Sequence, residues 1–331
     1  MTLLITEADI KRLPLSIKAA IPVIEDTFRQ AGEGTAENPP RIRMPLKNGF
    51  LQFGPAALHA KGVAGFKLWG NMGKGTGVHK SASGHGTNFL YDMATGELLA
   101  IVHSYQIGKY RTSAVSAVAA KYLSPANASS IGLYSAGRIA EGQLEAVCAV
   151  RPIRKVLVHS RRPPEREAFC QRMSERLGIS VLAAKTPEEV PRDADIIITA
   201  STSEVPILFG DWLTRPCLVI AAGANHWYKR EIDGKVIGKA SLVVCDEKEQ
   251  SRVESGNFLW AIGHGLLTWD RVEELGDIVI GRVPVPDFKT ATIVFGSHGL
   301  AINDVAMTAK TYELAKAHGI GAEISLEGNS R

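Results

Sequence analysis

Cysteine is scarce in this chain. Four residues, Cys148, Cys170, Cys217 and Cys245, stand far apart in 331. Each lies in or beside an apolar strand or helix pattern, and their spacing suits neither disulfides nor a metal site, so buried reduced thiols are expected. Long apolar runs are also missing. Nothing approaches the roughly 18 consecutive apolar residues of a membrane helix, and Met1 to Lys11 carries acids without a signal-like core. The reading is a soluble, cytoplasmic protein with no membrane partner. Neither sign of charge is in excess: 38 Lys and Arg stand against 34 Asp and Glu, a net charge of +4. The basic residues are scattered and not interleaved with aromatics, so no nucleic-acid partner is indicated. There is no internal repeat, no low-complexity segment and no Gly-x-Ser-x-Gly elbow. Hydrophobic residues make up 45% of the chain. That supplies a sizeable core, and the length suggests two domains.

The most informative stretch runs from Ser129 to Val147. An apolar run, Ile131 to Tyr134, breaks at Ser135, Ala136 and Gly137. Helical spacing resumes through Ile139, Leu144, Val147 and Val150. This is a strand, a tight turn and a helix. Such a turn aims backbone N–H groups and the positive helix end at one point, where a pyrophosphate fits. Against the Gly-x-Gly-x-x-Gly/Ala fingerprint the aligned residues are Ser135-Ala136-Gly137-Arg138-Ile139-Ala140. Gly137 and Ala140 keep the second and third positions. Ser135 replaces the first Gly, at a cost of about 1 kcal/mol in a strained turn. A purely structural turn without ligand stays open at this point.

A second strand, Lys155 to Val158, ends in His159-Ser160-Arg161-Arg162, and a helix follows from Pro163 to Leu177. NAD sites place an acid at the end of this strand, about 20 residues past the glycines. Here a hydroxyl, Ser160, and two arginines, Arg161 and Arg162, stand instead. They suit a 2′-phosphate, so NADP(H) is favoured, with NAD(H) possible. The alternative is that the two arginines form a solvated turn.

Residues 1–120 follow a different rhythm. Helices are expected over Thr6–Leu13 and Ile17–Gln30, and short strands over Arg41–Pro45, Phe50–Phe53, Gly65–Trp69 and Thr87–Tyr91. The turn Asp92 to Glu97 joins a hairpin, Asn88–Asp92 with Leu98–His103. This is an α+β region, and a small-residue helix, Thr112–Lys121, leads out of it. From Ser129 onward strands and helices alternate: Ile131–Tyr134, Val156–His159, Ser180–Ala183, Ile196–Ala200, Leu218–Ala221, Leu242–Cys245 and Ala291–Phe295. Alternation implies a parallel sheet covered on both faces. A closing helix, Asn303–Ala317, comes too late to belong to that unit. Three motifs are set aside. Gly70–Gly77 lacks the phosphate-loop spacing, His79 and His85 lack metal-site partners, and Asp246–Gln250 reads as a solvated helix start.

Several blocks taken together resemble the ornithine cyclodeaminase/μ-crystallin family, from about Arg41 to Gly321. They are Phe66-Lys67-Leu68, Asp92-x-x-Thr-Gly96, Arg111-Thr-Ser-Ala-Val-Ser-Ala117, Glu204 to Gly210, Ala222-Gly-Ala-Asn225 with Arg230-Glu-Ile232, Glu254-Ser-Gly256, Glu274-Leu-Gly276 and Val294-Phe295 with Ser297. The resemblance implies an α/β protein: a Rossmann-type doubly wound sheet over 121–299, plus an α+β N-terminal substrate and dimerisation domain over 1–120. Residues 300–331 would return to that first domain, and the protein would be a homodimer. It further implies hydride transfer at a carbon bearing nitrogen and carboxylate. Arg41 and Arg111 would bind the carboxylate of a small α-imino or α-amino acid, with Arg43 a second candidate for the role of Arg41. Lys67 would act as proton donor or polarising group, and Asn225 as a neutral orienting group across the reacting carbon. Ser201 and Ser297 would join Ser135–Ile139 and Ser160–Arg162 around the cofactor.

Two departures matter. Cyclodeaminases of this family carry Asp where this chain has Asn225, and Asn cannot exchange a proton at ordinary pH. Gly296 stands where the family often has Lys. An imine reductase or amino-acid dehydrogenase is therefore favoured over a cyclodeaminase with recycled NAD, and over a non-catalytic NADPH-binding protein.

Overall fold

The computed structural model describes residues 1–71 and 85–326. The chain begins β1 (Thr2–Ile5), α1 (Glu7–Ile10), α2 (Ile17–Gly32), β2 (Ala36–Glu37), β3 (Ile42–Leu46), β4 (Gly49–Leu58), β5 (Val63–Asn71), β6 (His85–Asp92), β7 (Leu98–His103) and α3 (Tyr105–Leu123). It continues β8 (Ser130–Tyr134), α4 (Arg138–Cys148), β9 (Lys155–His159), α5 (Pro163–Leu177), β10 (Ser180–Ala183), β11 (Ile196–Thr199) and β12 (Leu218–Ala221). The last part is α6 (Gly234–Gly238), β13 (Ala240–Cys245), α7 (Lys248–Glu254), α8 (Gly256–Gly263), β14 (Val272–Glu274), α9 (Leu275–Val279), β15 (Thr292–Gly296), α10 (Ala301–His318) and β16 (Ala322–Ile324). Most of the Gly70–Gly77 stretch, His79 and the His85 side chain lie outside the described residues.

The chain divides into two compact units. One is Met1–Arg111 with Leu300–Arg331, the other Thr112–Gly299. The sequence pattern places the join after residue 120, whereas the division falls inside α3. Ser113 to Ala120 are buried without exception, because a run of Ser, Ala and Val lets this stretch of the helix be covered on all its faces.

In the first unit a mixed sheet runs β16-β1-β7-β6-β5-β4-β2, with β3 added on β4. β1 and β7 are parallel and the other pairs antiparallel. The edge strand β16 and its neighbour β1 are too short to leave a periodic signature in the sequence. Helix α2 starts at Ser16, whose hydroxyl accepts from the Ala19 amide, and buries Ile17, Ala20, Ile21, Ile24 and Phe28 at helical spacing. It packs on α10, and α10 lies across β4, β5 and β6. Alternation decides what faces that helix. Gln52, Gly54, Ala56 and Leu58 of β4 are buried. The other face carries a half-buried aromatic ladder: Phe53 and Phe66 with ring centres 5.0 Å apart, Phe66 stacked on Phe89 at 4.6 Å, and Tyr91 beyond.

The second unit is a sheet of eight strands in the order β10-β9-β8-β11-β12-β15-β13-β14, all parallel. Its central strands are unbroken buried apolar runs, Ile196–Ile198 and Leu218–Ile220, as expected of strands covered on both faces. Strand order reverses direction between β8 and β11. Crevices for ligands form at the carboxyl ends of the strands at such a point.

One buried cation holds the end of α3. Arg151 donates from Nε to Ser124 Oγ at 3.0 Å, from Nη1 to the Val150 carbonyl at 2.9 Å, and from Nη2 to the carbonyls of Lys121 and Ser124 at 2.5 and 2.9 Å. It serves the carbonyls that a helix C-terminus leaves unsatisfied. Arg151→Met should therefore lower stability by about 2–4 kcal/mol, since it strands these acceptors without water. Urea denaturation measures it, and a variant within about 0.5 kcal/mol of the parent contradicts the capping role.

Candidate active site

In the first unit, β5 turns Lys67 toward α10 although its neighbours Phe66 and Leu68 are apolar. Lys67 Nζ donates to Asp304 Oδ1 at 3.1 Å, and Arg111 Nε, from α3, donates to the same oxygen at 3.2 Å. Side-chain exposure is 14% for Lys67, 12% for Arg111 and 5% for Asp304, so the group is largely withdrawn from water. Burial pushes the Lys67 ammonium below the usual lysine range. The Arg111 and Arg41 charges push the same way, and Asp304 opposes them. Burial pushes Asp304 up, but Arg111, Lys67 and Arg41 outweigh it and hold the carboxyl below the usual range. Arg111 uses only Nε on Asp304. Among the described residues its two terminal Nη groups make no hydrogen bond.

Arg41 immediately precedes β3 and acts on both Lys67 and Asp304. Arg43 is committed elsewhere. Its Nε and Nη2 donate to Gln52 Oε1 at 3.1 and 2.8 Å, and its guanidinium lies 4.8 Å from the centre of the Phe50 ring. Asp304 is absent from the set read from sequence. Its signal was present: a lone acid among Ile302, Val305, Ala306 and Met307 on a helix, where a buried charge demands a partner.

In the second unit, Ser135, Ala136, Gly137, Arg138, Ile139, Ser160, Arg161, Arg162 and Ser201 line one cleft of about 540 Å³ at the carboxyl ends of β8, β9 and β11. Ser135 takes the first glycine position with φ of +134°, a strained backbone for a residue with a side chain. Gly137 is the N-cap of α4 and offers no side chain to its first-turn amides, the arrangement a pyrophosphate uses. The volume and lining suit a nucleotide.

The wall of this cleft depends on Glu231, also absent from the sequence-derived set. Glu231 is fully buried. Its carboxylate accepts from Thr199 Oγ1 at 2.9 Å, the Ser201 amide at 2.6 Å and the Gly223 amide at 2.7 Å. Its own carbonyl accepts from the amides of Ile207 and Leu208. One side chain thus ties the loops after β11 and β12. Gly223 has to be glycine, since a Cβ there would sit 2.4 Å from Glu231 Oε1 and from the Ser201 carbonyl.

Asn225 and Ser297 do not line the cleft. Asn225 Oδ1 lies 2.9 Å from His226 Nδ1. Ser297 Oγ turns to Asp246 Oδ2 at 3.4 Å, and Asp246 also accepts from the amides of His298 and Gly299 at 2.8 Å each. Asp246 is therefore buried and not the solvated helix start read from the acidic run; it holds the chain as it leaves β15. Gly296 is explained by Phe258, since a Cβ at 296 would meet that ring at 2.7 Å. The cysteines are free, three of them buried, and burial pushes the thiols of Cys148 and Cys217 up to about 12. Among the described residues no group of three or more His, Cys, Asp or Glu could hold a metal ion, and no helix is long and apolar enough to cross a membrane.

The Asp304 cluster sets a pH dependence. A carboxyl depressed in the folded state stabilises the fold above its unfolded pKa of about 3.9, and that contribution is lost as pH falls through the lower folded value. Asp304→Asn should cost about 3–5 kcal/mol at pH 7, because two buried cations then face each other without a counter-charge. The difference between parent and variant should shrink on acidification below about pH 4. Denaturation curves at pH 7 and pH 3 test this, and equal stability at pH 7 removes Asp304 from its assigned role.

The model of the ornithine cyclodeaminase/mu-crystallin family matches residues 2–319. The chain is 30% identical over 324 residues to an alanine dehydrogenase of Archaeoglobus fulgidus, covering 98% of each protein. Its fold superposes with a TM-score of 0.90 on the Δ1-pyrroline-2-carboxylate reductase of Thermococcus litoralis solved with NADH and L-proline, at 30% identity, over 98% of this chain and 100% of that one. An archaeal alanine dehydrogenase dimer with bound NAD gives 0.91 at 29% identity, over 98% of this chain and 99% of the other. With its lysine and arginine gathered on one buried carboxylate and its cleft at the switch point of a parallel sheet, the chain belongs to the ornithine cyclodeaminase/mu-crystallin family.

Proposed function

We propose that this protein is an NAD(P)H-dependent reductase of a small α-imino acid, or in reverse an amino-acid dehydrogenase. The observation that carries the reading is the pair of buried cations, Lys67 and Arg111, sharing one oxygen of Asp304. Two positive charges against one leave the site short of an anion. The terminal fork of Arg111 matches a carboxylate in planar, bidentate fashion, and Arg41 adds to the same field. Lys67 stands beside them as the proton donor to the substrate nitrogen. Burial lowers its hold on the proton, which brings it nearer the range where a general acid works at neutral pH. Asp304 keeps Lys67 charged and in place. When bound, the nicotinamide supplies or accepts the hydride. The cleft of the second unit holds that nucleotide, with NADP(H) preferred because Ser160, Arg161 and Arg162 stand where an NAD site has its acid. Asn225 stands where cyclodeaminases of the family carry Asp and cannot exchange a proton at ordinary pH, which speaks against ammonia elimination.

The test is to mix the protein with NADPH or NADH and a panel of cyclic and linear α-imino acids, and to follow nicotinamide absorbance. Arg111→Ala should lose about 2–5 kcal/mol in kcat/KM while nucleotide affinity stays unchanged. Lys67→Ala should lose about 10²–10⁴-fold in kcat. Ammonia released from ornithine with oxidised cofactor, in place of imine reduction, would return the cyclodeaminase reading.

A homodimer is part of the same proposal. The half-buried ladder Phe53, Phe66, Phe89 and Tyr91 is a contiguous apolar face of the kind that marks an interface. Light scattering should give twice the monomer mass, and Phe66→Glu should give monomer. A parent that stays monomeric at micromolar concentration excludes it.

A further inference from the structure

The acid missing from the end of β9 has a substitute six residues past His159, the last residue of that strand. Glu165, in the first turn of α5, lines the cleft together with Ser160, Arg161 and Arg162. Its Oε1 lies 3.0 Å from Arg162 Nη1, with the two side chains 49% and 79% exposed. Arg161 lines the same wall and has no ion pair among the described residues. The turn that carries them is held from behind, where Arg166 Nη1 donates to the Ser160 carbonyl at 3.3 Å.

We infer that Glu165 sets the choice between the two pyridine nucleotides, by competing with a 2′-phosphate for Arg162 and by accepting the 2′-hydroxyl when no phosphate is there. The inference rests on the nucleotide reading of this cleft. An exposed pair such as Arg162–Glu165 is held weakly, so a phosphate carrying nearly two charges can draw Arg162 away. Glu165 then remains beside that phosphate as a like charge, which limits the preference that Arg161 and Arg162 create. With NAD(H), Glu165 occupies the role that the strand-end acid has in other sheets of this kind, accepting from the ribose. The cleft therefore admits both nucleotides, and its preference for NADP(H) is restrained by one carboxylate.

Fluorescence titration of the full-length protein and its variants with NADPH and with NADH tests this. Glu165→Gln should tighten NADPH by about five- to tenfold through loss of a like charge, and should weaken NADH by about threefold or more through loss of an anionic acceptor. Arg161→Gln should weaken NADPH and leave NADH unchanged. In Arg162→Gln, where Glu165 has lost its partner, NADPH should weaken more than in Arg161→Gln. The NADPH-to-NADH affinity ratio of the parent should fall with added KCl less steeply than that of Glu165→Gln. If Glu165→Gln moves both affinities by the same factor, or neither, the inference is wrong while the cleft reading stands. If the parent binds neither nucleotide below millimolar concentration, the cleft reading fails and the inference with it.

Discussion

The first unit is organised by the cost of burying charge. Lys67 sits on a sheet strand and Arg111 on a helix, and neither position tolerates an unpaired cation. Asp304 makes both tolerable by presenting the same oxygen, Oδ1, to the two of them. The arrangement remains one negative charge short. A structural ion pair is closed when the charges balance, and this group is not balanced. Burial pushes the Lys67 ammonium below its usual range, the Arg111 and Arg41 charges add to that, and Asp304 opposes it. Lys67 bears its desolvation in an apolar strand because Asp304 gives it a counter-charge and a hydrogen bond.

The second unit solves a different problem with similar means. A cleft at the carboxyl ends of the strands is walled by loops, and loops are entropically expensive to hold. Glu231 holds them from behind, accepting three hydrogen bonds from the segments after β11 and β12. Burial raises its carboxyl above the usual range, while these hydrogen bonds oppose that rise. Ser135 contributes in the opposite direction, keeping a positive φ where glycine would be easy. Its hydroxyl accepts from the Gly137 amide at 3.3 Å, a local contact that glycine could not make. The cleft wall is therefore partly strained and partly strapped, and the strap is a single side chain far from the motif in sequence.

Much of the fold was legible in the sequence because its signals are local. The strands Ser180–Ala183 and Leu218–Ala221 and the helix Pro163–Leu177 have the bounds that apolar runs and turn residues indicate. Lys67 and Arg111 were picked out by the family resemblance of the blocks that carry them, and their apolar surroundings added to that. The Rossmann turn was readable despite Ser135, since Gly137 and Ala140 keep the two spacings that geometry demands. Short strands such as β1 and β16 were not readable. With three or four residues each they have no period, and their pairing is settled by the sheet that receives them.

What the sequence determined by itself is the kind of fold: an α+β rhythm followed by strand–helix alternation, and with it a parallel sheet. What only the tertiary structure decided is which groups act together. Asp304 lies 237 residues from Lys67 and meets it within hydrogen-bonding distance. Glu231 lies 32 residues from Thr199 and fastens its strand end. Asp246 looks solvated in its acidic run and is buried under His298 and Gly299. The reason is physical. Local patterns report where a residue is buried or exposed along its own element, whereas the energy of a buried charge depends on the partner that folding brings beside it.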